Sequence, residues 1–192
     1  MTMNKQLETW KSKFGEDWTD RNPVDPKTRV VAFKRMIGDL TIKSIVEIGC
    51  GAGHNLICLS KGVNPNYSLV GVDPSLYAVI KAIQNKVTAF TGDCFNTYLR
   101  SSYYDLVFTS GVLMHVAPWD MSRAVEEISR IAKKYILIIE YYSEKEESIN
   151  YHGHNDLLWK RDYKGLFPNY QKGGFLSKEE GFDNCHWWLF QK

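Results

Sequence analysis

Three glycines at alternate positions, Gly49, Gly51 and Gly53, follow an apolar run of Ile45, Val46 and Ile48 that only Glu47 interrupts. The run has the length and β-branching of a buried strand. Behind it, residues 54–60 read as the first turns of a helix. A strand, a glycine loop and a helix N-terminus let backbone N–H groups approach a ligand closely. This loop is therefore expected to hold a nucleotide-like cofactor. Three further stretches carry matching chemistry. Asp73 ends the next apolar run, 24 residues after Gly49, where a carboxylate can accept both ribose hydroxyls. Gly92-Asp93-Cys94-Phe95 offers a carboxylate for an exocyclic amine and a ring for an adenine face. Ser110-Gly111-Val112 is small enough to let a fourth loop close on the ligand.

Proton chemistry has two candidates. His115 sits at the tip of the fourth strand and is either a general base or a packed, hydrogen-bonded histidine. Glu140 ends the fifth strand at the same edge and is either a base, a holder of substrate or a loop cap. His152-Gly153-His154 has no carboxylate or cysteine at ligand spacing, so no metal is assigned. The run Asn155-Asp156 with Lys160-Arg161-Asp162 reads as a solvated helix or as a polar acceptor pocket. In the second case Lys160 or Arg161 binds a carboxylate or phosphate. A dinucleotide fingerprint would want glycine or alanine at position 54, where this chain has histidine.

The elements that must position these residues alternate along the chain. Leu7, Trp10 and Phe14 recur at helical spacing, and a polar, turn-rich stretch over residues 15–23 follows, with prolines at 23 and 26. A second helix is expected over 27–40. Strands are expected near 44–49, 68–73, 87–91, 104–109 and 135–140, with helices near 55–61, 75–85 and 119–132 between them. Such alternation implies βαβ units and a mainly parallel sheet. Residues 141–172 read as an irregular, aromatic insertion, and strands near 173–177 and 185–191 close the chain. The expected organisation is one domain: an N-terminal helical cap (1–43), a cofactor-binding core (44–140), a substrate-side insertion (141–172) and closing strands (173–192).

Bulk composition narrows the function. A chain of 192 residues suits one sizeable core, and the 44% hydrophobic and 24% charged fractions are ordinary for a globular protein. The net charge is +2 with no basic block, which argues against nucleic acid as partner. No apolar run reaches a membrane span and no signal core begins the chain, so a cytoplasmic location without membrane contact is expected. The four scattered cysteines read as reduced thiols. Aromatic residues make up 14%, enough for some to line a pocket.

Taken in order, Val46-Glu47-Ile48-Gly49-Cys50-Gly51-Ala52-Gly53, Gly71-Val72-Asp73-Pro74-Ser75, Gly92-Asp93-Cys94-Phe95 and Tyr104-Asp105-Leu106-Val107-Phe108 resemble the class I S-adenosylmethionine-dependent methyltransferases. The resemblance implies a Rossmann-like α/β fold. Its seven-stranded sheet has helices on both faces, and its last strand inserts antiparallel between the fifth and sixth. It implies S-adenosylmethionine as cofactor and S-adenosylhomocysteine as product. Glu47, Gly49, Gly51 and Asn55 would surround the methionine part, and Asp73, with Pro74 and Ser75, would take the ribose. Asp93, Cys94 and Phe95 would frame the adenine. Ser110, Val112 and His115 would lie along the methyl path. Trp18 and Arg21 would close over the cofactor, Arg21 pairing with its carboxylate.

A narrower resemblance lies outside that core. Residues 14–22 (Phe-Gly-Glu-Asp-Trp-Thr-Asp-Arg-Asn) and 154–163 (His-Asn-Asp-Leu-Leu-Trp-Lys-Arg-Asp-Tyr) look like the bacterial methyltransferases associated with pseudaminic acid biosynthesis. This implies a sugar or sugar-nucleotide acceptor, with Tyr141, Asn155, Lys160 and Arg161 on the substrate side, and a monomer or homodimer. Three other readings stay open: a methyltransferase for a different amine or hydroxyl metabolite, a protein that binds S-adenosylmethionine without transfer, and a nicotinamide-dependent oxidoreductase.

Overall fold

The structure is a computed structural model that describes residues 5–22 and 24–192. Pro23, expected in a polar turn, lies outside the described residues. The elements run α1 (Lys5–Lys11), α2 (Lys13–Arg21), α3 (Val30–Ile37), β1 (Ser44–Ile48), α4 (His54–Cys58), β2 (Ser68–Asp73), α5 (Leu76–Gln84), β3 (Ala89–Thr91), β4 (Tyr104–Ser110), α6 (Met121–Ile131), β5 (Ala132–Glu140), β6 (Glu147–Tyr151), β7 (His154–Lys160), β8 (Tyr170–Leu176) and β9 (Cys185–Gln191). Seven strands form one sheet in the order β3-β2-β1-β4-β5-β9-β8. The strands from β3 to β5 pair in parallel, and β9 is antiparallel to both of its neighbours. This is the expected Rossmann-like sheet with its last strand inserted. Because β1, β2, β4 and β5 point the same way, the loops after Ile48, Asp73, Ser110 and Glu140 emerge at one edge.

The apolar runs follow from the covering of both faces. Alternate residues feed two cores. One holds Ile45, Leu106, Phe108, Leu137 and Ile139, packed by Phe33, Met36 and Ile37 of α3 and by Leu56 and Leu59. The other holds Val46, Ile48, Val107, Ile136 and Ile138, packed by Ile128 and Ile131 of α6 and by Tyr163 and Phe167. Glu47, the polar break in β1, is buried as well. Its Oε1 accepts from Asn55 Nδ2 at 2.6 Å, while its buried Oε2 has no hydrogen-bond partner among the described residues.

Three expectations need correction. The stretch expected as a polar turn is the helix α2, capped by Ser12 Oγ accepting from Phe14 N. Its Gly15 marks a close approach rather than a turn, since a Cβ there would stand 1.9 Å from the Trp10 carbonyl oxygen. Lys13 pairs with Asp17 one turn on, which supports the helix. The insertion is not irregular, because β6 and β7 form an antiparallel hairpin within it. His152 (φ 50°) and Gly153 (φ 85°) make the tight turn at its tip. Those histidine rings pack edge-on against Phe14 at 6.0 and 5.9 Å, and no group of three metal-ligating side chains occurs among the described residues. Finally, β5 starts at Ala132, directly after α6, and β8 starts at Tyr170.

Among the described residues no helix is long and apolar enough to cross a membrane. Phe33 is wholly buried, with the rings of Phe108 and Phe182 at 5.8 and 6.1 Å. Phe33→Ala is expected to cost about 3–5 kcal/mol of unfolding free energy in urea melts; a loss under about 1 kcal/mol would contradict this packing.

Candidate active site

The glycine loop after β1 is held from beneath. Gly49 N and Cys50 N both donate to the Val72 carbonyl, at 2.7 and 3.1 Å. Gly49 has φ +74°, and a Cβ on it would stand 2.2 Å from Val112 Cγ2, so the loop after β4 can pack there only against glycine. Gly51 differs: at φ +53° its missing side chain faces open space, with no atom within 4 Å. Its N–H donates to Asp73 Oδ2 at 2.8 Å, while Ser75 N donates to Oδ1 at 2.9 Å. Asp73 thus ties the first loop to the second. Burial raises its carboxyl to about 6, and the two N–H donors oppose that rise. An ionised carboxylate has about four lone-pair sites, so both oxygens can still accept.

The third loop is knotted by Asp93, whose Oδ1 accepts from Phe95 N at 2.9 Å and Asn96 N at 3.0 Å. Beside it Cys94 is buried, and the Arg123 guanidinium lies 4.8 Å from the Phe95 ring centroid. All four cysteines are free and buried, and burial pushes each thiol upward, which makes them poor nucleophiles.

Glu140 has a different task from the two foreseen at the substrate. It is fully buried, and its Oε1 accepts from Thr109 Oγ1, Val112 N and Leu113 N, each at 3.0 Å. Oε2 accepts from Met114 N at 3.2 Å. Enclosed by four donors, it is not a base for an acceptor. Desolvation raises it to about 7 against those bonds. Its role is to fix the turn Leu113–His115, and so to place His115.

His115 does line the cleft. Its Nδ1 is 2.6 Å from the Leu157 carbonyl, which can only accept, so the proton sits on Nδ1 and Nε2 carries the lone pair. Burial lowers its pKa to about 4, keeping the imidazole neutral at physiological pH. The rings of Trp10 and Tyr151 stand 4.6 and 5.3 Å from it.

Helices α1 and α2 roof the site. Gln6 Nε2 donates to the Asp156 carbonyl at 3.0 Å, and Trp18 Nε1 donates to Tyr151 Oη at 3.1 Å. On the other side, Asp20 accepts from Tyr77 of α5 at 2.8 Å. Beneath the roof lies a cleft with about 810 Å³ of space, counted together with the solvent at its open mouth. It is lined by the expected Trp18, Gly49, Gly51, Asp73, Pro74, Ser75, Asp93, Cys94, Phe95, Ser110, Val112 and His115. Gln6, Trp10 and Val116, which sequence reasoning did not assign to a site, also line it, as does Thr19 of the 18–22 stretch that the sequence offered as a surface turn or a lid. The helical spacing of Leu7, Trp10 and Phe14 held the signal for Trp10, but not its direction.

Other candidates fall elsewhere. Arg21 is exposed and folds back to the Asp17 carbonyl at 3.1 Å, so it does not close over the cleft. Glu47 and Asn55 lie behind the glycine loop, not in the cleft wall. There Asn55 Oδ1 accepts from Arg29 Nη1 at 2.6 Å. Burial raises Glu47 to about 8, partly offset by Asn55 and Arg29. Arg29, missed in the sequence because nothing local marks it, also donates to the Gly181 carbonyl at 2.9 Å. Asn155 is exposed and bonds Asn150 within the hairpin. Arg161 is buried, donating to the Val116 carbonyl at 3.1 Å with Glu146 at 3.1 Å, so it braces the hairpin rather than meeting an acceptor. Tyr141 and Lys160 line a second cavity beyond Tyr151.

Comparison with known proteins agrees with this fold. Residues 45–135 match the family model described as a methyltransferase domain. An uncharacterised 37.1 kDa protein of a Streptomyces fradiae transposon is 31% identical over 96 residues. That match covers 47% of this chain and spans about a quarter (27%) of the relative's length. Among solved structures, magnesium protoporphyrin IX methyltransferase of Synechocystis PCC 6803, with S-adenosylmethionine bound, superposes with TM-score 0.71 at 16% identity, covering 100% of this chain and 99% of that one. A Leishmania major S-adenosylmethionine-dependent methyltransferase gives TM-score 0.71 at 15% identity over 98% and 82% of the two chains. The YcgJ protein of Bacillus subtilis gives 0.63 at 20% identity over 77% and 72%. The fold is that of the class I S-adenosylmethionine-dependent methyltransferases.

Glu140→Ala would strand several buried donors at about 1–3 kcal/mol each. Urea melts are expected to show a loss above about 3 kcal/mol; a loss below about 1 kcal/mol would return Glu140 to the list of free bases.

Proposed function

We propose that this chain, with its methyltransferase domain on the class I fold, is an enzyme that uses S-adenosylmethionine to methylate a small-molecule acceptor. The observation that carries the reading is the cleft itself: a glycine loop with one open face at Gly51, opposite a strand-tip carboxylate that retains accepting capacity. These features fit the cofactor. Asp73 would take the ribose hydroxyls, Gly49 and Gly51 would let the chain approach, and Asp93 and Phe95 would frame the base. Bound there, S-adenosylmethionine supplies a methyl group activated by a cationic sulfur.

The protein's own work is then positioning, exclusion of water and handling of one proton. The α1–α2 roof covers the cleft and holds the acceptor against the cofactor, and alignment of this kind can be worth about 7–11 kcal/mol. His115 Nε2 accepts the proton of an acceptor hydroxyl as it leaves; general bases typically contribute about 10²–10⁴-fold, and the low basicity of this buried imidazole puts His115 at the lower end. Its neutrality leaves that lone pair free, and the Leu157 carbonyl fixes the tautomer. Trp10 lines the same wall, its Nε1–H buried and without a hydrogen-bond partner among the described residues.

The acceptor we infer is a sugar or sugar nucleotide of the nonulosonic, pseudaminic-acid type. Support comes from the two segments that carry this resemblance. Phe14 and Trp18 of the first meet Tyr151, and Phe14 packs on His154 of the second, so the two segments meet beside the cleft that Trp18 lines. Incubation with S-adenosylmethionine and a panel of such sugars, read by mass spectrometry, tests the acceptor. Methylation of an unrelated metabolite alone would refute it.

Asp73→Asn is expected to weaken S-adenosylmethionine binding by about tenfold or more in calorimetry, and near-normal affinity would sink the ribose assignment. Ribose hydroxyls donate to the ionised carboxylate, so affinity should fall about tenfold per pH unit as pH drops below about 6. A flat profile there would count against it. His115→Phe keeps the ring packing; it should lower kcat by about 10²-fold or more with little change in cofactor affinity, and an unchanged kcat would remove His115 from the mechanism.

A further inference from the structure

Next to the cofactor cleft, behind Tyr151, lies a second cavity with about 730 Å³ of space, open to solvent. Its floor is Tyr141 and Tyr142, the residues that follow β5 at the ligand-binding edge of the sheet. Its roof is one face of the β6–β7 hairpin. Ile149 pairs with Leu158 and Glu147 with Lys160 across the hairpin, the register shifts between Ile149 and Tyr151, and Ile149, Tyr151, Leu158 and Lys160 all line the cavity.

The charge in this cavity is uneven. Asp183 at its rim is already engaged: its Oδ2 accepts from Tyr141 Oη, and Oδ1 lies 3.3 Å from Lys178 Nζ. Lys160 is half-buried, with its ammonium 5.9 Å from the Tyr141 ring centroid. Glu147 stands directly across the hairpin from Lys160, yet the two form no ion pair, nor does Lys160 with any other acid among the described residues. A cation held at an aromatic wall, with its natural cross-strand partner unused, is suited to an external anion.

We propose that this cavity binds the anionic group, carboxylate or phosphate, of the acceptor, with Lys160 as its counter-charge and the tyrosine faces packing on the acceptor's ring. The inference rests on the methyl-transfer reading and deepens it by naming an anionic acceptor. Tyr151 joins the two sites, because its hydroxyl accepts from Trp18 Nε1 and its ring lies beside His115. An acceptor anchored at Lys160 therefore reaches the His115 end of the cleft past Tyr151, and Lys160 sets which acceptors are oriented there.

The test is a chemical-shift titration of the full chain, with and without S-adenosylhomocysteine, using glucuronate, glucose 1-phosphate and uncharged glucose as probes. At least one anion should shift the amides of Tyr141, Tyr151 and Lys160 while glucose does not, and the tighter anion identifies carboxylate or phosphate. Lys160→Met should weaken that response by about tenfold or more, and Lys160→Arg should restore it. Silence with both anions, an equal response to glucose, or an unaffected Lys160→Met variant would overturn the proposal. Calorimetry with S-adenosylmethionine on the wild-type chain separates the two failures. Cofactor binding without an anion response removes only the second site, whereas an anion response without cofactor binding removes the methyl-transfer reading.

Discussion

Burying a carboxylate is costly unless hydrogen bonds replace its water; three central strands carry such a group, and of these Glu47 has only one oxygen bonded. Asp73, at the tip of β2, grips Gly51 and Ser75. Glu140, at the tip of β5, grips the backbone from Val112 to Met114. Glu47, within β1, holds Asn55 and through it Arg29. Each carboxylate secures a loop or helix start that the sheet alone would leave loose. Burial raises all three above the ordinary carboxylate range, which marks the desolvation these bonds must offset. Of the three, Asp73 is the one that also faces the cleft, so it can hold the loops together and still meet a ligand.

The N-terminal helices depend on this frame. The Glu140-anchored turn sets His115, whose ring is the surface on which Trp10 packs. Trp10 in turn meets Phe14 and Trp18 edge-on at 5.4 and 5.7 Å. Gly15 allows α2 to fold tightly against the end of α1. The roof is further fastened at both sides, by Gln6 to β7 and by Asp20 to α5. A chain of aromatic contacts thus runs from the cleft edge of the sheet to the hairpin beyond it.

Much of this was legible in the residues. The alternation of strands and helices predicted a mainly parallel sheet, the β1 glycines with the aspartates at 73 and 93 predicted a nucleotide-type cleft, and the seven strands with the last one inserted were implied by the resemblance to class I methyltransferases. The signals are local: period, β-branching and glycine spacing are properties of neighbouring residues. Other features were misread because their cause is distant. Gly15 looked like a turn residue but serves a helix–helix approach. Asn155 and Arg161 looked like parts of an acceptor pocket, yet one lies outward on a hairpin and the other is turned inward to the Val116 carbonyl. Arg21 carried no mark that it would fold back on its own helix.

By itself, then, the sequence determined which backbone loops meet at the edge of a parallel sheet, because each loop's conformation is set by its own glycines and by the strand preceding it. The tertiary structure decided what each polar side chain does there. Glu140 and His115 are both polar residues near strand ends, and both were candidate bases in the sequence. Four donors converge on the first and occupy it; one carbonyl meets the second and leaves Nε2 with its lone pair. That difference depends on groups from elements far apart in the chain, so no reading of local pattern contains it.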